Sequence, residues 1–178
     1  MYSNVFYQLH INKIGGIETF LYELARLSHE HKRDLTIVYR SGDPVQIARI
    51  RKYCRILSLA EIEKPIKCHR AFFNYAVDAI DFFEADEYIQ LIHADFKSDI
   101  LQGWIHSNPQ SDKITTRYAV SANNKKSYEE VTDYKVKGVL YNPIHIEDEP
   151  RVMTLVSAQR MSGEKGVNRI KALVKMLD

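Results

Sequence analysis

Strand-like runs alternate with helix-period segments along almost the whole of this chain, and a chain so patterned has few ways to bury both kinds of element. Leu35-Thr-Ile-Val-Tyr39 is a continuous β-rich run, suited to a strand buried on both faces of a parallel sheet. Ahead of it, Val5 to Leu9 reads as a first strand. The loop His10-Ile-Asn-Lys-Ile-Gly-Gly16 then leads into Ile17, Phe20, Leu21, Leu24 and Leu27, spaced as one apolar face of a helix. Ser41-Gly-Asp-Pro44 supplies turn residues before a helix at about 45–53. Further strands are expected at 54–59, 67–75, 88–95, 114–121 and 136–141. A short helix capped by Ser98 or Asp99 should run to Ile105, and another capped by Asn123 or Asn124 should run to Val131. The pattern predicts an α/β fold, with a mostly parallel sheet and helices on both faces.

At Asn142-Pro-Ile-His-Ile-Glu-Asp-Glu-Pro150 the alternation breaks into a polar, proline-bounded stretch, and Asn142 and Pro143 are the expected hinge. A new cycle follows: a strand at 152–157, a loop, and a helix from Lys165 with Ile170, Leu173, Val174 and Leu177 at helical spacing. One βα unit cannot bury both of its faces. The chain is therefore expected to hold a complete domain at 1–145, and at 146–178 a linker with the first βα unit of an incomplete second domain.

Net charge is +2 over 178 residues, too little to predict a nucleic-acid partner from electrostatics. It is unevenly spread: residues 151–178 carry six cations against two acids, +4, which leaves −2 on residues 1–150. Cys54 and Cys68 form no CxxC pair and suit reduced thiols in a cytoplasm. No basic leader with an apolar core opens the chain, and no uninterrupted apolar stretch of ~18 residues occurs. A cytoplasmic location is expected, with peripheral contact at the inner face of a membrane left open. The seven histidines make no HExxH and no zinc-type spacing, so no metal is expected.

Gly15-Gly16 lies between strand and helix, where glycine lets a ligand approach the backbone and the helix N-terminus offers N–H groups to an anion. A tight turn that simply needs glycine explains the pair equally well. GxGxxG and GxxxxGK[ST] are both absent, which disfavours a dinucleotide-binding dehydrogenase and a P-loop enzyme. His93-Ala-Asp95 follows a predicted buried strand at the end where open α/β sheets place ligands. His93 and Asp95 would share a face if the strand continued, although a structural histidine and a capping aspartate are the plainer alternatives. Arg160-Met-Ser-Gly-Glu-Lys165-Gly166 sets two cations beside a predicted helix start. Charge-assisted hydrogen bonds and the helix dipole there suit a diphosphate, and solvated surface charge is the alternative.

Taken together, Gly15-Gly-Ile-Glu-Thr-Phe-Leu21, Ile92-His-Ala-Asp95, Val120-Ser121, Leu140-Tyr-Asn-Pro-Ile144 and Leu155 to Gly166 resemble the retaining glycosyltransferases of family 4. Those enzymes have the GT-B fold, two Rossmann-like domains facing across a cleft. The likeness spans nearly the whole chain and is nearest to transferases that build bacterial capsular or other cell-surface polysaccharides. It implies a nucleotide-sugar donor, a glycan or lipid-linked acceptor, transfer with retention, and no metal or other cofactor. Gly15 and Gly16 would face the donor phosphates, with Arg160 and Lys165 neutralising the diphosphate. Fixed cations there act on charge that grows as the diphosphate departs, so they favour the transition state over bound substrate.

The chain departs from the family at three places. Asp95 stands where many members carry a second histidine, and Gln159 stands where glycine is usual before the arginine. The Glu-x7-Glu signature of the donor-side domain has no counterpart here. The expectation is an acceptor-side domain with the beginning of a donor-side domain, inactive by itself and with the missing C-terminal domain as its implied partner. The competing expectation is a non-catalytic Rossmann-like module that binds a glycan or a partner chain. A sugar-nucleotide epimerase or another GT-B relative fits the Gly-Gly-Ile-Glu and Arg-x4-Lys runs less well.

Overall fold

The computed structural model describes residues 2–97 and 112–143. The chain divides into two compact units, Met1–His145 and Ile146–Asp178, and every described residue belongs to the first. The helices expected at 98–105 and from Lys165, and the strand expected at 152–157, lie outside the described residues.

Seven strands form one wholly parallel sheet: β1 (Tyr2–Ile11), β2 (Thr36–Gly42), β3 (Arg55–Ser58), β4 (Ile66–Asn74), β5 (Phe83–Ile92), β6 (Thr116–Ala119) and β7 (Gly138–Val139). Their spatial order is β3-β2-β1-β4-β5-β6-β7. The chain winds outward from β1 to β3, returns, and winds outward again from β4. Strand order therefore reverses between β1 and β4, which opens a crevice at the C-terminal strand ends of such sheets. This is an α/β, Rossmann-like fold.

Helix α1 (Gly16–Glu30) follows β1, and α2 (Pro44–Ile50) follows β2. Asp43 caps α2, its carboxylate accepting from the N–H groups of Val45 and Gln46, and Pro44 fills the first turn where no donor is needed. Both helices pack on one sheet face, where Phe6, Ile37, Ile56 and Leu91 meet Phe20, Leu21, Ala25 and Ile47. On the other face Val5, Tyr7, Val38, Ala71 and Phe73 pack against Ala76, Val77, Ala79 and Ile80. Helix α3 (Ala122–Val131) adds Tyr128 to a small cluster with Ile92, Phe96 and Ala119. Ser121 caps α3 by accepting from the Asn124 N–H, in place of the expected Asn123 or Asn124.

The link from β4 to β5, residues 75–82, is shorter than the ~12 residues a parallel crossover ordinarily takes. It carries only one 3-10 turn, Ile80–Phe82. Its apolar residues do the covering that a helix would otherwise do. The link leaves β4 through Tyr75, whose φ of 73° is left-handed. There the Ala76 N–H donates back to the Asn74 carbonyl at 2.8 Å, a γ-turn of the strained hand.

Candidate functional site

Four polar side chains from four strand ends form a connected row at the C-terminal edge of the sheet. Gln8 of β1 donates from Nε2 to the His10 carbonyl at 2.8 Å. Asn74, at the end of β4, donates from Nδ2 to Gln8 Oε1 at 2.5 Å, across the place where strand order reverses. His93, just past β5, meets Asn74 Oδ1 through Nδ1 and the Asn142 side-chain amide, 2.9 Å from Nε2 to Oδ1. Gln8 and Asn74 are 6% and 1% exposed. Amides this deep in a parallel sheet are stable only when fully hydrogen-bonded to one another.

The direction of the row fixes the histidine. Asn74 spends its NH2 on Gln8, so its oxygen faces His93 and Nδ1 carries a proton. Burial lowers the His93 pKa, against a smaller raising effect of the Asn142 contact. In the neutral ring Nε2 is then a lone-pair acceptor. The Asn142 amide turns its NH2 toward a neutral ring and its oxygen toward an imidazolium. Phe20 of α1 holds the ring from the side, edge-on with centroids 4.6 Å apart.

The loop between β1 and α1 is tied from both directions. Gln46 Nε2 donates to the Lys13 carbonyl at 2.8 Å, and the Asn12 N–H donates to Glu18 Oε1 at 2.6 Å. Glu18 is 4% exposed and sits in the first turn of α1, where a negative charge is favoured by the helix dipole. The two glycines then differ. A side chain on Gly15 would overlap the Glu18 carboxylate, while one on Gly16 would meet nothing within 4 Å. Gly15 has an extended φ of 174°, so close approach rather than backbone hand is what excludes a side chain. Ile14 projects from the tip of this loop, 87% exposed.

β5 ends at Ile92, so the strand alternation that would have aligned His93 with Asp95 does not continue through them. Asp95 Oδ1 accepts from the Lys97 N–H at 3.1 Å, the local turn that short acidic side chains make after a strand. Among the expected site residues, the fold brings His93 and Asn142 into contact and sets Gly15 close against the Glu18 carboxylate. Pro143 follows Asn142 as the last residue described, and Arg160 and Lys165 lie outside the described residues. Gln8 and Asn74 were not singled out by motif, and Glu18 stood inside the Gly15-Gly-Ile-Glu run with no role of its own. Their signal is a lone amide near the C-terminal end of an otherwise apolar strand, or an acid in a first helical turn.

No group of three or more His, Cys, Asp or Glu side chains capable of holding a metal occurs among the described residues. No helix among them is long and apolar enough to cross a membrane. No protein-family model, curated protein or solved structure matches the chain at a significant level.

Proposed function

We infer that the Met1–His145 unit is the acceptor-side domain of a metal-independent glycosyltransferase. It would act in bacterial surface polysaccharide synthesis, such as that of a capsule, taking sugar from a nucleotide-sugar donor with retention. The observation that carries this reading is His93, oriented through Nδ1 by Asn74 and Gln8 and holding the Asn142 amide on Nε2 at the C-terminal edge of the sheet. An acceptor hydroxyl that displaces the Asn142 amide from Nε2 would be held by donating its hydrogen to the neutral ring, which is orientation of the kind that lowers a transfer barrier. Arg160 and Lys165 would stabilise the departing diphosphate from the donor side. Acceptor and donor would thus be held by separate domains, with Asn142 and Pro143 at their junction.

The test is transfer by the protein carrying a complete donor domain. Arg160→Ala and Lys165→Ala should each slow transfer by roughly tenfold to a thousandfold, the usual effect of removing charge stabilisation. Rates near wild type in both variants would overturn the diphosphate assignment. Asn74→Ala should weaken acceptor use while leaving donor hydrolysis unchanged, since it acts through His93 rather than on the diphosphate.

One observation favours the second reading, a glycan- or partner-binding module without catalysis. The Glu18 carboxylate already occupies the start of α1, so a diphosphate approaching Gly15 would meet a negative charge. Binding of glycans by the 178-residue chain with no turnover in the presence of the donor domain would select that reading.

A further inference from the structure

The two ring nitrogens of His93 are held very differently. Nδ1 meets Asn74, which is 1% exposed and is itself anchored to Gln8. Nε2 meets Asn142, 2.9 Å away and exposed to solvent. The strap that carries Asn142, residues 140–142, leaves β7 with little to hold it. Among the described residues its one backbone hydrogen bond runs from the Leu140 N–H to the Ala119 carbonyl at 2.8 Å. Leu140 and Tyr141 are 51% and 78% exposed, so neither side chain anchors the strap in the core. Pro143 has no N–H with which to tie down its end, and it biases Asn142 toward extended backbone. Opening the strap therefore breaks the Leu140 and Asn142 hydrogen bonds and frees no fully buried side chain, which puts it at the low end of local stabilities.

We propose that the 140–142 strap gates His93, with Asn142 as a resident competitor for Nε2. The inference rests on the acceptor-side reading above and supplies the control of that same site. With the strap closed, the Asn142 amide donates to the Nε2 lone pair, and a ligand hydroxyl finds no acceptor there. With the strap open, that lone pair is free, while Asn74, Gln8 and the edge of Phe20 still fix the ring. Opening thus changes what the imidazole can bind without changing where it points. A lone hydroxyl merely exchanges one hydrogen bond for another, so the strap stays shut against water and yields to a ligand that is held elsewhere as well. Such a ligand binds the open state, and its apparent affinity is reduced by the fraction of molecules that are open. The Asn142 hydrogen bond lowers that fraction by about two- to tenfold, the weight of one net hydrogen bond.

The test is carbethoxylation of the 178-residue chain by diethyl pyrocarbonate at neutral pH, with each histidine followed by peptide mass spectrometry. The reagent needs an imidazole lone pair, which at His93 is the one on Nε2. His93 should react more slowly than the exposed His31. Asn142→Ala should speed its reaction by about two- to tenfold and leave the other histidines unchanged. Asn142→Asp should slow it, because a carboxylate favours the imidazolium, which has no lone pair to react. Both substitutions fall at an exposed position, and the urea midpoint should stay at the wild-type value. Equal rates at His93 in wild type and Asn142→Ala, or a rise at every histidine together, overturn the gate. Methyl glycosides of glucose, galactose and N-acetylglucosamine, followed by imidazole NMR, separate the gate from the reading it rests on. Their affinity at His93 should rise in Asn142→Ala by the same factor as the reaction rate. If the rate rises but no glycoside moves the His93 resonance, the gate stands and the acceptor-side reading falls. If glycosides move His93 with equal affinity in both proteins, the acceptor-side reading stands and the gate falls.

Discussion

Gly15 and Gly16 are neighbours with opposite tolerances. Gly15→Ala must displace the Glu18 carboxylate and so break its bond from the Asn12 N–H. The expected loss is about 1–3 kcal/mol by urea unfolding, the range for an orphaned buried polar group. Glu18→Ala should remove most of that effect in a double-mutant cycle, because both substitutions break the same contact. Gly16→Ala should instead stabilise by about 0.5–1 kcal/mol, since the site is open and alanine favours the first turn of α1. At His93 the folded-state pKa is lowered by burial, so below the ordinary histidine value the unfolded chain takes up the proton first. Stability from this group is complete above about pH 6.5 and falls as pH drops toward the lowered value. His93→Gln should shrink the decline in urea midpoint between pH 7 and 5, and an unchanged decline would contradict a buried neutral ring. The glycine pair and His93 were legible as motifs. Asn74 and Gln8 were not, because nothing in a sequence says that two amides sixty-six positions apart lie on adjacent strands.

Strand centres were legible wherever apolar residues run continuously, as at 35–39 and 88–92, and the expected strand at 67–75 differs from β4 by one residue at each end. The first half of β5 lies outside the strand expected at 88–95, because Glu84, Asp86 and Glu87 interrupt its apolar pattern. They are satisfied across the sheet instead: Lys67 pairs with Glu84, His69 with Asp86 and Arg70 with Glu87, and cross-strand charge pairs make a strand that hydropathy does not report. The 75–82 link was also unreadable, since its alanines and isoleucine suit a helix as well as a taut crossover. Phe73 sits where link and sheet meet, fully buried, with ring centroids 6.0 Å from Tyr7, 5.4 Å from Phe83 and 6.3 Å from Tyr88. Phe73→Ala should cost about 3–5 kcal/mol in chemical denaturation, the range for a large core truncation. A loss below ~1 kcal/mol would mean that this face is not packed by the link. The strain at Tyr75 is held by the Tyr75 N–H to Leu91 carbonyl bond at 3.1 Å and by Gln90 Nε2, which donates to the Tyr75 carbonyl at 2.9 Å. Residues in such backbone regions persist where their surroundings over-determine them.

For the molecule as a whole, the two thiols offer a probe of cooperative unfolding. Burial pushes Cys54 up to about 12 and Cys68 up to about 11, so neither is a thiolate near neutral pH. A disulfide reagent at pH 8 should leave both unmodified in the native protein and label both in urea, with Cys68 following global unfolding because it is fully buried in the sheet. Rapid native labelling of Cys68 would place its opening outside the cooperative core. At this scale the sequence by itself determined the class of fold, since alternating buried strands and amphipathic helices can bury their apolar surface together only in a layered parallel sheet. It also marked Gly15, Gly16 and His93, whose positions follow from local order along the chain. Tertiary structure alone decided the strand order, and with it the reversal that sets β4 beside β1 and joins Gln8, Asn74, His93 and Asn142 into one row. Hydrogen bonds between residues distant in the chain depend on register and crossover direction, which no local pattern of residues encodes.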